Sequence, residues 1–482
     1  MSGMLLLLLI LLLCTMDLVK KLNIFHGGFL ALYLAFMPHL PFFLIYLWLN
    51  PFHCPIPFSR TGLLLIMTSA VIWQLYSTLR LHIFPFRKNE SGIIRIGILY
   101  GGQLLVKAGI WGMLFLIVYY GICLAFFPGF LYGLGTPYFI FDIVYSLIFV
   151  WLFLVNGSIR IFCTCRRLGI IKRLIICLTL WIPPVNIYFT YYMCRVAKDE
   201  YALETFRAFS NECRKESYTC ATKYPIIMVH GIGFRDLKYF NYWGRMPKVL
   251  SCNGASVYYG HQKAWGTIEE NAAHMKENIL HVLRETGAKK VNIIAHSKGG
   301  LDSRYLITKL GMGDKVASLT TVSTPHRGSR LIDFLNRLPD SVYRFIAHML
   351  DKSFQMVGDE NPDCYHSSKQ LAPAYCAEFN RQVPDWEGVY YQSYTSVMKN
   401  IFSDSLLSIP YLLMRFLDTP DNDGLVSVSS AKWGTFKGVF QNKKRRGISH
   451  GDMIDLKRED YNGFDVIEEY IKIVEELKEM GY

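Results

Sequence analysis

Hydrophobic positions fall into two different patterns along this chain. In residues 1–200 they form long unbroken runs, near 24–50, 62–79, 103–127, 137–156 and 174–193. Each is about the 20 residues that an α-helix needs to cross a bilayer. A shorter leucine run at 5–13 has neither the basic flank nor the small-residue cleavage site of a signal peptide, so five or six spans are expected.

From residue 223 onward the pattern changes to short apolar stretches separated by amphipathic ones. Tyr224-Pro-Ile-Ile-Met-Val-His-Gly231 reads as a buried strand ending in a glycine turn, and 257–260 as a shorter strand. Thr267-Ile-Glu-Glu270 is a capping box. It opens a helix with Ile268, Ala272, Met275, Ile279 and Val282 on one face, which Gly287 ends. Val291-Asn-Ile-Ile-Ala295 is the next strand, 298–310 the next helix and 316–322 another strand. Apolar strands alternating with amphipathic helices predict a mostly parallel sheet covered on both faces.

Charge sharpens this division. Residues 1–200 hold 15 Lys and Arg against 5 Asp and Glu, so they carry +10 of the net +13. The basic residues sit in alternate loops: Lys20 and Lys21, then Arg80, Arg87, Lys88 and Arg95, then Arg160, Arg166, Arg167, Lys172 and Arg173. The loop at 51–61 has only Arg60, and 128–136 has no charge. That alternation follows the positive-inside rule and differs from a nucleic-acid-binding face. It predicts that the chain leaves its last span on the outer side. Lys107 and Asp142 are the charges placed within apolar runs, and an anchoring role accounts for them at helix ends. The organisation expected is therefore a multi-span region over 1–194, a polar linker over 195–222 and a catalytic domain over 223–482. If the domain faces outward, Cys213 with Cys220 and Cys364 with Cys376 are close enough in sequence to pair, leaving Cys252 over.

The chemistry lies where strand meets helix. Ala295-His296-Ser297-Lys298-Gly299-Gly300 has a serine with small residues two before and two after it, as a tight nucleophile elbow demands. This is the mark of an α/β-hydrolase, with Ser297 as nucleophile. A serine hydroxyl needs a base, and the base an orienting carboxylate, in the order Ser, acid, His for this fold. After Asp423 there is one histidine, His450. Asp423, in Asp421-Asn-Asp-Gly-Leu-Val-Ser427, is the expected acid, with Asp421 and Asp418 as alternatives. The backbone N–H groups of Ile232 and Lys298 are the expected oxyanion donors. No step of this chemistry requires a cofactor.

The catalytic half resembles the bacterial triacylglycerol lipases of the Pseudomonas type. The likeness rests on the 224–231 strand, on Thr286 to Tyr305 around the elbow, on Thr324-Pro-His-Arg-Gly-Ser329, on Asn422-Asp-Gly-Leu-Val-Ser427 and on His450-Gly-Asp452. It implies the same triad and oxyanion donors. It also implies a structural calcium ion near the histidine loop, with Asp452 on one ligand position and Asp404 as the candidate for a second. It further implies that 329–384, with Leu331, Phe334, Leu335, Leu338, Val342, Phe345, Ile346 and Met349 as an apolar stripe, forms a lid.

Together these readings predict a membrane-anchored serine lipase or carboxylesterase. It would be an integral membrane protein, at the plasma membrane, with its catalytic domain outside. Its partners would be lipid ester and membrane, and not nucleic acid. An acyltransferase would use the same triad, and a transport or sensing protein with a degenerate hydrolase domain is the reading from another class.

Overall fold

The computed structural model describes residues 26–49, 59–85, 92–126, 135–179, 181–233, 242–356, 361–417, 421–461 and 463–482. The leucine run 5–13, Lys20, Lys21, Arg87, Lys88, Asp418 and most of the loops at 51–61 and 128–136 lie outside the described residues. Two compact units emerge, Met1–Phe209 and Ser210–Tyr482.

The first unit is helical. Arg60–Ile83, Ile94–Ala125 and Thr136–Thr164 are long and apolar enough to cross a membrane. The run expected at 24–50 is instead two helices, His26–Phe36 and Leu40–Leu49, joined by a 3-10 turn at Met37–His39. Pro38 lacks the N–H that would continue the ladder. The run at 174–193 is likewise divided between Ile170–Thr179 and a helix that begins at Pro183. Gly102 and Gly157 let two long helices touch: a Cβ on Gly157 would lie 2.7 Å from the Gly102 carbonyl oxygen. Such close approach through small residues is how helices associate in lipid. Asp142 is buried, and its carboxylate accepts from His39 Nδ1 at 2.9 Å and from the Tyr120 hydroxyl at 2.8 Å. Outward-facing Leu65, Ile72, Ile117, Phe141 and Trp151 are exposed. A surface as apolar as its interior is what a lipid solvent selects.

The stretch read as a linker is largely helical, because the helix Pro183–Ser217 runs through most of it. Its sequence from Ala197 to Arg214 is rich in Ala, Glu, Leu, Lys and Arg, with no Gly or Pro to stop it.

The second unit is built on a six-stranded parallel sheet in the order β2-β1-β3-β4-β5-β6. The strands are β1 Ile226–Val229, β2 Val257–Tyr259, β3 Val291–His296, β4 Val316–Val322, β5 Tyr390–Ser396 and β6 Thr435–Phe440. One apolar layer sets Met228, Ile294 and Val322 against helix Val466–Glu479, through Tyr470, Ile471 and Val474. On the other, Ile227, Val229, Ile293 and Leu319 meet helix Ile268–Thr286. The five residues expected on its buried face, Ile268, Ala272, Met275, Ile279 and Val282, are all buried, and its capping box is formed. The strand order reverses between β1 and β3, which opens a crevice at their carboxyl ends where ligands bind in open α/β sheets.

Candidate functional site

The crevice is bounded by the turn after β1 and the turn after β3. Ser297 follows β3 directly, with φ of 55°, in the left-handed region that side chains rarely occupy. Its amide donates to the Val322 carbonyl at 3.0 Å, and helix Gly299–Thr308 starts two residues later. The small residue at 299 is a packing requirement: a Cβ there would lie 2.5 Å from the His230 carbonyl oxygen. On the other side of the crevice Gly231 lies against the serine, where a Cβ would be 2.8 Å from Ser297 Cβ. This juxtaposition brings the turn that leads into Ile232 against Ser297. The His230 imidazole faces two carbonyls, those of Gly231 at 2.7 Å and Gln262 at 3.1 Å, which fixes the turn.

His450 and Asp423 are brought together although 27 residues separate them. His450 Nδ1 and Asp423 Oδ2 are 2.8 Å apart. The His450 amide donates to the Asp423 carbonyl at 2.9 Å, which sets the two turns in register. The other carboxylate oxygen of Asp423 accepts the amides of Leu425 and Val426, at 3.0 and 2.8 Å. Asp423 is fully buried, whereas Asp421 is exposed on the same turn. The imidazole of His296, next to the serine, has its centroid 4.4 Å from that of His450. Among the described residues no hydrogen bond joins Ser297 Oγ to His450. Such bonds are often long without substrate and tighten as it binds.

Three supporting contacts have no counterpart in the sequence reading. The Tyr242 hydroxyl bonds His296 Nδ1 at 2.6 Å. Burial, and then the charge of His450, hold the His296 imidazole well below its ordinary pKa, so it stays neutral. Lys298 turns its side chain away from the crevice to Asp302, at 2.6 Å, with both side chains buried. Burial holds the Asp302 carboxyl above its ordinary pKa, and Lys298 offsets only part of that rise. Arg304 stacks over Trp433 at 3.6 Å and bonds Asn380 and the Val383 carbonyl. The Lys298–Asp302 pair at i, i+4 was the one readable signal.

Asp404 and Asp452, implied as calcium ligands, both reach Ser449, but each also carries a protein cation. Lys457 Nζ lies 2.7 Å from Asp404, and the Arg446 guanidinium grips Asp452 at 2.7 and 3.0 Å. Among the described residues there is no cluster of three or more His, Cys, Asp or Glu side chains that could hold a metal. Each of the two carboxylates is therefore already matched by a protein cation.

The segment expected as a lid comprises helices Arg330–Leu335, Asp340–Met356, Cys364–Lys369 and Pro373–Gln382. Phe345 and Met349 on the second of these are exposed, and Tyr343 and Ala347 are buried. A second apolar surface was not foreseen. It comprises Phe402, Leu406, Ile409 and Phe416, on and before helix Ser408–Phe416, and is exposed by 71% or more at each residue. Leu407, between them, lies beside Gly424, the residue after Asp423. The five cysteines of this unit are all free, so neither disulfide considered from sequence is formed.

A parallel sheet with reversed order at β1/β3, and a serine in a left-handed turn between β3 and its helix, defines an α/β-hydrolase. The Lipase (class 2) family model matches residues 223–326. Triacylglycerol lipase 2 of Saccharomyces cerevisiae is 30% identical over 271 residues, covering 51% of this chain and 78% of that protein. A triacylglycerol lipase of Pseudomonas fragi is 28% identical, over 54% of this chain and 98% of that protein. A solved Bacillus licheniformis lipase matches at 19% identity and TM-score 0.40, over 52% of this chain and 92% of that one. The chain belongs to the class 2 lipase family and is a carboxylic ester hydrolase.

Proposed function

We infer that this protein is a membrane-anchored lipase that hydrolyses lipid esters through Ser297, His450 and Asp423. Ser297 Oγ attacks the ester carbonyl while His450 Nε2 takes its proton. The backbone N–H groups of Ile232 and Lys298 receive the oxyanion. His450 then gives its proton to the departing alcohol, leaving an acyl-serine. Water, deprotonated by the same imidazole, releases the acid and restores Ser297. Asp423 holds the ring through Nδ1 and stabilises its charged form. The observation that carries this reading is the 2.8 Å bond from His450 to a fully buried Asp423, at the strand end where Ser297 sits.

Lipid as substrate is supported by the apolar residues exposed on Asp340–Met356 and on Ser408–Phe416, beside the Asp423 turn. The relatives named as triacylglycerol lipases support it too. Anchoring is supported by the three long apolar helices and their apolar outer faces. The loop charges favour a catalytic domain outside the plasma membrane. The free cysteines are the observation that favours the opposite, reducing side. Protease added to intact cells reaches the catalytic domain in the first case and spares it in the second.

The test of the chemistry is steady-state ester hydrolysis by the full chain in micelles. Ser297→Ala and His450→Ala should each lower kcat about a million-fold, and Asp423→Asn about ten-thousand-fold, with folding retained. A larger loss in Asp421→Asn than in Asp423→Asn would reassign the acid.

A further inference from the structure

The loop that carries His450 is held at both ends of a two-carboxylate cluster. Ser449 is its centre: its hydroxyl donates to Asp404 at 2.7 Å and its amide to Asp452 at 2.9 Å. Asp404 also accepts the Leu406 amide at 2.9 Å and Lys457 Nζ at 2.7 Å. Asp452 takes both Nη groups of Arg446, and that guanidinium lies 3.5 Å from the centroid of the Tyr461 ring. The cluster ties the loop before His450 to the 400–408 segment, where Gly447 N also bonds Ser403 Oγ at 3.0 Å.

Two carboxylates balance one ammonium and one guanidinium. Calcium needs about 6–8 oxygen ligands around a double positive charge. Here every carboxylate oxygen already accepts a hydrogen bond, and both carboxylates are nearly fully buried. An entering divalent ion would have to expel Lys457 and Arg446, or face them at close range with excess positive charge.

We propose that Lys457 and Arg446 are positioning residues that replace a structural metal ion, so that His450 is held by a protein-borne ionic clamp and the enzyme is calcium-independent. The proposal rests on the reading of His450 as the catalytic base. The clamp holds Ser449, and Ser449 sets the backbone of His450, whose amide meets the Asp423 carbonyl. Loss of the clamp lets the imidazole drift from the serine. Misplacement by ~1 Å costs on the order of 100-fold in rate.

The experiment uses the full chain in detergent micelles, with kcat, KM and Tm measured with EGTA and with millimolar calcium. For the native protein, neither EGTA nor calcium should change kcat by more than about twofold or move Tm beyond error, since an ion that does not bind cannot stabilise. Lys457→Ala should lower kcat about 10- to 100-fold with KM little changed, and Lys457→Arg should recover most of it. In the Lys457→Ala, Arg446→Ala double variant the carboxylates are released, and calcium should raise both its Tm and its kcat. Loss of native activity or a fall in native Tm on adding EGTA overturns the proposal. So does a Lys457→Ala variant with unchanged kcat. If the double variant does not fold, the native Tm with and without calcium still decides. Failure of the triad itself would appear separately, as hydrolysis that persists in Ser297→Ala.

Discussion

The buried pair under the elbow gives a prediction whose size can be worked from its geometry. Lys298 Nζ and Asp302 Oδ1 are 2.6 Å apart, each side chain is 1% exposed, and Asn271 Nδ2 donates to the second oxygen of Asp302 at 3.1 Å. Asp302→Ala leaves an ammonium with no counter-charge and no route to water. Breaking a buried pair from one side costs about 3–5 kcal/mol. For a domain of this size 1 kcal/mol moves Tm by roughly 2–4 °C, so Tm should fall by about 10 °C. Removing both charges is different, because an apolar pair of similar volume is often neutral. Lys298→Met with Asp302→Leu should therefore recover all but about 1–2 kcal/mol, the remainder being the lost hydrogen bond from Asn271 to Asp302. The assay is urea unfolding followed by tryptophan fluorescence, with both variants and native protein at one pH. An Asp302→Ala loss under about 1 kcal/mol, or a double variant less stable than the single one, would contradict a fully desolvated pair at this position.

Two further outcomes are expected. The pKa of His296 is depressed in the folded protein, so the unfolded chain takes the proton first; stability should be full above the ordinary histidine value of about 6.5 and fall by up to about 1.4 kcal/mol per unit below it. His296→Gln should flatten that slope in thermal unfolding across the acid range, and an unchanged slope would contradict the burial argument. In a chain-length series of p-nitrophenyl esters, long acyl chains in micelles should be preferred, and greatest activity on acetyl or butyryl esters with no gain from micelles would leave a tethered esterase.

The parts of the fold legible in the sequence are those whose burial is apolar. Strands β1 to β4 and helix Ile268–Thr286 stand within a few residues of their expected places. Strand β5 was not foreseen because its buried positions are polar: Gln392 bonds Thr320 and Ser393 bonds the Trp433 carbonyl, partners that only the folded sheet supplies. β6 is an edge strand with exposed positions and so lacks an apolar signature. In the candidate site, Ser297, Asp423 and His450 were expected from fold order and small-residue spacing, and His450 and Asp423 lie in hydrogen-bond contact. Lys457 opposite Asp404 was not, because a 53-residue separation leaves no local pattern. The helix through Ser217 was hidden by its polarity, which reads as linker until propensity is summed.

The proposed chemistry rests on Ser297 as a nucleophile activated by His450. A fluorophosphonate probe reacts only with an activated serine, and it leaves a covalent phosphonyl adduct that peptide mass spectrometry locates. One stoichiometric adduct is expected on the peptide containing Ser297, with labelling abolished in Ser297→Ala and slowed by orders of magnitude in His450→Ala. Labelling that persists in Ser297→Ala, or an adduct on another serine, would contradict it.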